Sequence, residues 1–230
     1  MNQPVTYELK RSHRKTLSLK ICQDGRIEVH APFYLPEKNI QAWITEKTDW
    51  IYQKQEEILN AAKARASFTV LPGMTLLYLG REYPVRLQEG EKAGFDGDAF
   101  WIPGKGPESD KSALITLYRQ MADQYIRSRV LWYAEQFDFH PQKIRIHTAE
   151  TRWGSCSHQG NLNFSWKLIM APPDAVDAVV VHELCHLHEF NHSALFWKEV
   201  YRICPNYSAQ KKVLAHLHKR LTHENWRKEL

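Results

Sequence analysis

The sequence is poor in cysteine, and its cysteines lie far apart. Only four occur among 230 residues, and no two of them form a C-x-x-C pair. This spacing excludes a cysteine-based zinc knuckle. A disulfide framework is not expected either, because the chain is large and shows no export signal. The four residues are Cys22, Cys156, Cys185 and Cys204.

Long apolar runs are also absent. The apolar stretch Val179–Val181, for example, is ended by His182, whereas a membrane-spanning helix needs roughly 18 apolar residues. Residues 1–15 are polar and basic, without the apolar segment of a secretory signal. We therefore expect a soluble, cytoplasmic protein with no membrane partner.

The composition is that of a globular protein, with a modest excess of positive charge. Apolar residues make up 43% and charged residues 25%, which excludes a disordered tail and a fibrous protein. The net charge is +5, and much of the excess lies in a basic segment over residues 10–20. Such a segment can contact nucleic acid, nucleotides or an acidic partner, although a solvated positive face is the commoner meaning. Its basic residues are Lys10, Arg11, Arg14, Lys15 and Lys20.

The order of strand and helix patterns predicts an α+β fold in two parts. Alternating apolar and polar residues flank Asp24-Gly25, which is a strong hairpin signal. A helical pattern then runs over residues 37–65. We predict a strand-rich N-terminal module with one long helix over 1–106, and a helical domain with a small sheet over 107–230. The boundary lies in a stretch rich in glycine and proline.

The second part begins with a long helical pattern over residues 108–137. Leu114, Leu117 and Leu131 lie near one apolar stripe of this helix. A strand over 143–147 and a hairpin follow. Another helix then begins near Pro172, because prolines favour the first turn of a helix.

This last helix carries a metal-binding pattern. It contains His182-Glu183-Leu184-Cys185-His186, an H-E-x-x-H motif. Residues four apart share a helix face, so both imidazoles can bind one metal ion. Glu183 lies on the flank of that face, where its carboxylate can hold a water that the metal activates. The apolar neighbours of the motif predict a buried helix, and buried histidines and glutamates need partners that a metal supplies.

A catalytic zinc site needs three protein ligands and one open position, so a third ligand must follow the motif. His192 reaches the other two histidines if the helix ends and the chain turns back. Asn191 is suited to end the helix, because asparagine tolerates the left-handed conformation. The spacing of His182, His186 and His192 therefore predicts a three-histidine site.

Three other residues near the motif are weaker candidates for the third ligand. His188 is directed away from the metal-binding face of the helix. Glu189 lies about 10 Å along the helix from His182, which favours an outer role or a contact with substrate. Glu199 remains a minor alternative ligand.

These features resemble the YgjP-like metallopeptidases, which are relatives of the SprT-like and other zincin peptidases. The resemblance spans most of the chain. It implies a zincin-like catalytic domain, zinc bound by His182, His186 and His192, and Glu183 as general base. The matching segments are Arg14–Leu19, Trp43–Lys54, Arg152–Cys156, Asn161–Leu168, Ala171-Pro172, Val179–His186, Asn191–Ser193 and Phe196-Trp197.

The same resemblance gives expectations for substrate binding. By analogy with zincins, the strand over 161–166 is expected to be an edge strand with which an extended peptide pairs. Arg152 and Asn163 are the candidate substrate-binding residues. Arg152 either binds an acidic group of the substrate or braces the fold.

The expected function is zinc-dependent hydrolysis of a peptide or protein, with Glu183 as general base. One alternative is a metal-dependent hydrolase that cleaves the phosphoanhydride of a nucleoside triphosphate. The basic segment and Arg152 favour it, but the sequence has no glycine-rich phosphate loop. A second alternative is a non-enzymatic module that binds nucleic acid or protein and holds a structural zinc. Such a site has no need of a glutamate beside the metal.

Overall fold

The computed structural model describes residues 5–149 and 151–226. Its internal contacts divide the chain into two compact units. Of the described residues, 5–68 and 221–225 form the first unit, and the others form the second. Both units contain helices and strands, which confirms the α+β class. No helix in the described part of the chain combines the length and apolarity needed to cross a bilayer.

The first unit contains a three-stranded sheet. Its central strand is β3 (Ile27–Pro32), with β1 (Glu8–Ser12) parallel to it on one side and β2 (Ser18–Ile21) antiparallel on the other. The predicted hairpin joins β2 to β3, and Gly25 adopts the positive φ of +85° that this turn requires. The core of the unit consists of Ile27, Val29, Ala31, Ile40, Ile44 and Ile51.

The helical stretch predicted over residues 37–65 is present but divided into α1 (Glu37–Glu46) and α2 (Thr48–Ser67). The hydroxyl of Thr48 donates to the carbonyl of Ile44 at 3.2 Å. In a continuous helix the backbone N–H of Thr48 would use that carbonyl. The backbone N–H of Lys47 bonds to it as well, at 3.0 Å. The break falls at Lys47, whose φ of −100° and ψ of 6° lie outside the α-helical region, so two helices stand in place of the single long helix predicted.

Part of the basic segment has a structural role within the first unit. The guanidinium of Arg11 donates to three backbone carbonyls at and just beyond the end of β3, at 2.8–3.2 Å. Lys10 forms an ion pair with Glu28 at 2.7 Å. Arg11 thus holds the end of β3 in place, and the charge of Lys10 is paired with a carboxylate within the unit.

The second unit contains two sheets and, among the described residues, four α-helices. Its strands are β4 (Thr75–Tyr78), β5 (Arg81–Leu87), β6 (Gly94–Phe95), β7 (Phe100–Ile102), β8 (Lys143–His147), β9 (Gly154–Cys156) and β10 (Asn161–Ser165). Its helices are α3 (Pro107–Phe137), α4 (Pro173–Cys185), α5 (Ala194–Ile203) and α6 (Tyr207–Leu221), and a short 3-10 helix (Trp166–Met170) precedes α4. The strand orders are β4-β5-β7-β6 and β8-β10-β9.

Residues 69–106 lie in the second unit, whereas the sequence places them with the N-terminal module. The backbone N–H of Leu79, at the tip of the β4–β5 hairpin, donates to the carbonyl of Ile169 at 2.9 Å. The hydroxyl of Tyr118 in α3 donates to the carbonyl of Leu77 at 2.8 Å. These contacts join the four-stranded sheet to the helices, so the structure divides the chain at the start of this segment and not at its end.

The order of the second sheet differs from the prediction. β10 lies between β8, to which it is parallel, and β9, to which it is antiparallel. The prediction that this strand is an edge strand is therefore wrong. Among the described strands, β9 is the edge strand that contacts α4.

The carboxylate of Asp177 in α4 accepts hydrogen bonds from two side chains of α3. Arg129 donates to both carboxylate oxygens of Asp177 at 2.7 Å, and the hydroxyl of Tyr133 donates to the same carboxylate at 3.2 Å. A bidentate pair of this kind fixes orientation as well as distance. Asp177 lies little more than one helical turn before His182, so this contact holds in place the turn that leads into the H-E-x-x-H motif.

Candidate metal centre

The motif lies at the C-terminal end of α4, which ends at Cys185. The prediction that the helix continues to about Asn191 is wrong, and Asn191 does not have a left-handed backbone. His186 caps the helix with φ −67° and ψ −13°, still in the right-handed helical region. Its Nδ1 lies 3.0 Å from the carbonyl oxygen of Glu189, which stabilises the turn. The chain therefore turns back earlier than its sequence suggests.

Three histidine side chains converge beside this turn. One imidazole nitrogen from each of His182, His186 and His192 lies within 4.8 Å of the other two. The Nε2 atoms of His182 and His192 are 3.2 Å apart. Within residues 5–149 and 151–226, this is the one group of three or more histidine, cysteine or acidic side chains close enough to hold a metal ion.

Two of the weaker ligand candidates, His188 and Glu199, pair with each other instead. His188 Nδ1 lies 3.1 Å from Glu199 Oε1, and the His188 ring stacks on Phe139 with centroids 4.7 Å apart. Arg202 lies 3.9 Å from the same carboxylate oxygen. The structure thus does not bring the alternative ligand Glu199 into the histidine group.

Burial favours the neutral form of two histidines of the group, His182 and His186. It lowers the pKa of His182 to about 3, with a further contribution from the other two histidines, and it lowers the pKa of His186. Phe196 stacks on His186 with centroids 4.5 Å apart, and Trp197 on His192 at 5.5 Å. Neutral imidazole is the form that binds metals, so His182 and His186 are available as ligands at neutral pH.

Glu183 is the buried acidic residue beside the histidines. Only 6% of it is exposed, and this burial raises the pKa of its carboxyl to about 8, against the opposing effect of the positive charge on Arg152. A carboxyl in such a place ionises more readily when positive charge is near it. The position of Glu183 therefore suits a carboxylate that accepts a proton and later donates it, close to a bound metal cation.

Gly154 leaves the space that the Glu183 side chain occupies. A Cβ atom at position 154 would lie 2.7 Å from both Cγ and Oε1 of Glu183. Gly154 is not among the glycines with a positive φ, so close packing and not backbone conformation requires glycine here. The contact brings the edge strand β9 against the candidate general base.

The two predicted substrate-binding residues lie in different places. Arg152 is exposed and stands two residues before Gly154, and its charge acts on Glu183. Asn163 pairs with Ser155 in the sheet, whereas Gly154 pairs with the next residue, Phe164. Since side chains alternate between the two faces of a sheet, Asn163 belongs to the face opposite Gly154. The structure brings Arg152 towards Glu183 but does not bring Asn163 there.

A family model for the YgjP-like metallopeptidase domain matches residues 15–217. The chain belongs to this YgjP-like family. One similar solved structure is the metallopeptidase zymogen of Pyrococcus abyssi abylysin, with a TM-score of 0.37 and 17% identity, covering 44% of this chain and 98% of that chain. A search of curated proteins gives no significant match. The resemblance read from the sequence is thus confirmed at the level of the family.

Membership of a metallopeptidase family implies a metal ion, and the three histidines of this YgjP-like chain fit one. The Nδ1 atoms of His182 and His186 face the Tyr207 hydroxyl and the Glu189 carbonyl, each at 3.0 Å. Outer partners of this kind orient metal-binding histidines and leave Nε2 of each ring for the metal. Together with His192 they offer three nitrogen donors, which suit zinc and several other transition metals.

Sequence reasoning did not assign a role to Gly154 or Tyr207. Gly154 stands in a segment that matches the family, but no spacing rule indicates that Glu183 packs against it. Tyr207 lies 25 residues beyond His182, in a different helix, so helical periodicity does not relate the two. Both contacts depend on how β9 and α6 pack around α4.

Proposed function

We propose that this chain is a zinc-dependent peptidase in which His182, His186 and His192 bind the metal and Glu183 is the general base. The observation that carries the proposal is the convergence of three imidazoles beside a buried glutamate. Three histidines would hold the metal and would leave a position for water or substrate, as catalytic zinc sites require. The chemistry that zinc supplies is Lewis acidity, which lowers the pKa of water and polarises a carbonyl group.

Glu183 moves the proton. Its carboxylate accepts a proton from the water that attacks the peptide carbonyl, and the resulting carboxylic acid donates that proton to the leaving amine. The positive charge of Arg152 favours the ionised form that the first step needs. Burial favours the protonated form that the second step needs, so both states of the carboxyl are accessible near neutral pH.

The edge of β9 with which no described strand pairs is the proposed binding place for the substrate backbone. β9 pairs with β10 on one side, and its first residue, Gly154, packs against Glu183. An extended peptide that hydrogen-bonds to a strand edge is held by its main chain, whatever its side chains are. The peptide-pairing strand of the proposal is therefore β9 in place of β10.

Replacing Gly154 by alanine tests whether β9 sets the position of Glu183. The added methyl must displace the Glu183 side chain, so we expect peptide turnover to fall about 10- to 100-fold, as small misplacements of catalytic groups do. Zinc content should not change. Gly94→Ala is the matched control, because a Cβ at Gly94 meets no atom within 4 Å. Full activity of Gly154→Ala would show that the position of Glu183 does not depend on this contact.

The proposed function as a whole is tested by metal removal and a substrate panel. The purified protein is stripped with a chelator, reloaded with zinc, and assayed against a peptide library and against nucleoside triphosphates. We expect peptide cleavage that disappears on stripping and returns with zinc. Phosphoanhydride cleavage without peptide cleavage would contradict the proposal and favour the nucleotide alternative.

A further inference from the structure

Tyr207 contacts the histidine group from a distant part of the chain. Its hydroxyl lies 3.0 Å from Nδ1 of His182, and the two rings are nearly parallel, at 10° with centroids 5.7 Å apart. Tyr207 is the first residue of α6, so a regular helix carries it. The hydrogen bond and the stacking together restrict rotation of the His182 ring.

His186 has a different kind of partner on the same ring atom. Its Nδ1 faces the carbonyl oxygen of Glu189, and because a carbonyl only accepts, that contact holds the proton of His186 on Nδ1. A tyrosine hydroxyl both donates and accepts. Tyr207 therefore supports His182 whether the ring proton is on Nδ1 or on Nε2.

The ability of the Tyr207 hydroxyl either to donate or to accept matters because His182 lies close to His192. Their Nε2 atoms are 3.2 Å apart, and a hydrogen bond between them requires a proton on one of the two. Binding of a metal by both rings requires a lone pair on each Nε2. When His182 carries the proton, it releases it from Nε2 to solvent and takes one up at Nδ1. The ring stays neutral, and Tyr207 changes from donor to acceptor while keeping its own proton.

We infer that Tyr207 is a positioning residue of the metal centre, whose hydroxyl orients His182 and accepts the Nδ1–H hydrogen bond of the metal-binding tautomer. This inference rests on the proposed function only in taking His182 to be a metal ligand. Burial raises the pKa of Tyr207 to about 12, so the residue remains a neutral phenol throughout the physiological range. Loss of an outer partner of this kind typically weakens metal binding 10- to 100-fold.

The affinity of the metal-stripped protein for Zn²⁺ tests the inference. It is measured by competition with a chromophoric chelator for the wild type, Tyr207→Phe and Tyr201→Phe. Tyr201 is the matched control, because its hydroxyl lies 2.7 Å from the Ser208 hydroxyl instead of a histidine. We expect Tyr207→Phe to bind zinc about 10- to 100-fold more weakly and Tyr201→Phe to bind it like the wild type. Wild-type affinity in Tyr207→Phe would overturn the inference.

A second measurement tests the role of Tyr207 even if Tyr207→Phe fails to fold. Nitrogen-15 NMR of the zinc-loaded wild type should show a proton on His182 Nδ1 that exchanges slowly with solvent, and absence of that proton would overturn the inference. Neither readout uses peptide cleavage. A protein that binds zinc but cleaves no peptide would therefore contradict the proposed function and leave the role of Tyr207 to be decided by the affinities.

Discussion

Replacing Glu183 by glutamine should lower peptide turnover by about 10²- to 10⁴-fold, the range associated with loss of a general acid–base group. Glutamine has nearly the same shape but cannot accept the proton of the attacking water. The three histidines do not depend on Glu183 as a ligand, so zinc content should stay at the wild-type level. Turnover and elemental mass spectrometry on the same preparation check both expectations.

The exposed Glu135 of α3 provides the matched control. Glu135→Gln makes the same chemical change and removes the same charge, and we expect it to keep wild-type turnover. Full activity in Glu183→Gln, with zinc retained, would contradict a general-base role.

The same substitution should also change how the stability of the metal-free protein depends on pH. Burial raises the pKa of Glu183 from 4.5 to about 8. As pH rises between these values, the unfolded chain loses this proton before the folded chain does, so the wild type loses stability over that interval. Glutamine does not titrate, so the stability difference between Glu183→Gln and the wild type should grow towards pH 8, by at most about 1.4 kcal/mol per pH unit.

Urea unfolding in the presence of a chelator, at pH 5 and pH 8, measures this difference. His182 titrates in both proteins, so its depressed pKa affects the comparison little. An equal difference at the two pH values would show that Glu183 is not held in its protonated form by burial. We expect Glu183→Gln to be more stable than the wild type in the absence of metal, and inactive. Burial of a catalytic carboxyl lowers the stability of the protein while it serves the reaction.

Local spacing in the sequence accounts for the two helix histidines and for Glu183. The positions i and i+4 share a helix face in any α-helix, so His182 and His186 had to lie together once the helix formed. The end of the helix was less predictable. It depends on the contact between His186 and the Glu189 carbonyl, which forms only in the folded turn.

Strand order and unit boundaries depend on contacts between distant residues, and the sequence predicted these less well. β10 is central because β8 pairs with it in parallel, and no turn signal between the two strands indicates that pairing. Residues 69–106 belong with the helices because Tyr118 reaches the carbonyl of Leu77, which composition does not reveal.

For the long helix α3, the sequence predicted the helix but only part of its buried face. Its periodicity predicts a helix, and a helix is found. However, Leu131, which was placed on the apolar stripe, is 55% exposed, whereas Tyr118 and Val130 are fully buried. Leu114, also placed on that stripe, is fully buried, so the predicted stripe agrees with the buried face near the start of the helix and departs from it near the end.

His192→Ala should remove bound zinc from the protein while leaving it folded. His192 is exposed in the turn between α4 and α5, and the N-cap of α5 is formed by the hydroxyl of Ser193, not by the histidine. Loss of a direct ligand should weaken zinc binding by more than the roughly 100-fold that loss of an outer partner causes. Elemental mass spectrometry should find near-stoichiometric zinc in the wild type and almost none in the variant after equal dialysis.

His188→Ala is the matched control, because His188 is an exposed histidine of the same turn that pairs with Glu199 instead of the group. It should keep its zinc. If His192→Ala also kept zinc while Glu199→Gln lost it, the third ligand would be the glutamate, and the turn would have to rearrange on metal binding. If even the wild type took up no zinc when it is offered, the hydrolytic mechanism would fail at its first requirement, because Glu183 alone cannot make water reactive enough to cleave a peptide bond.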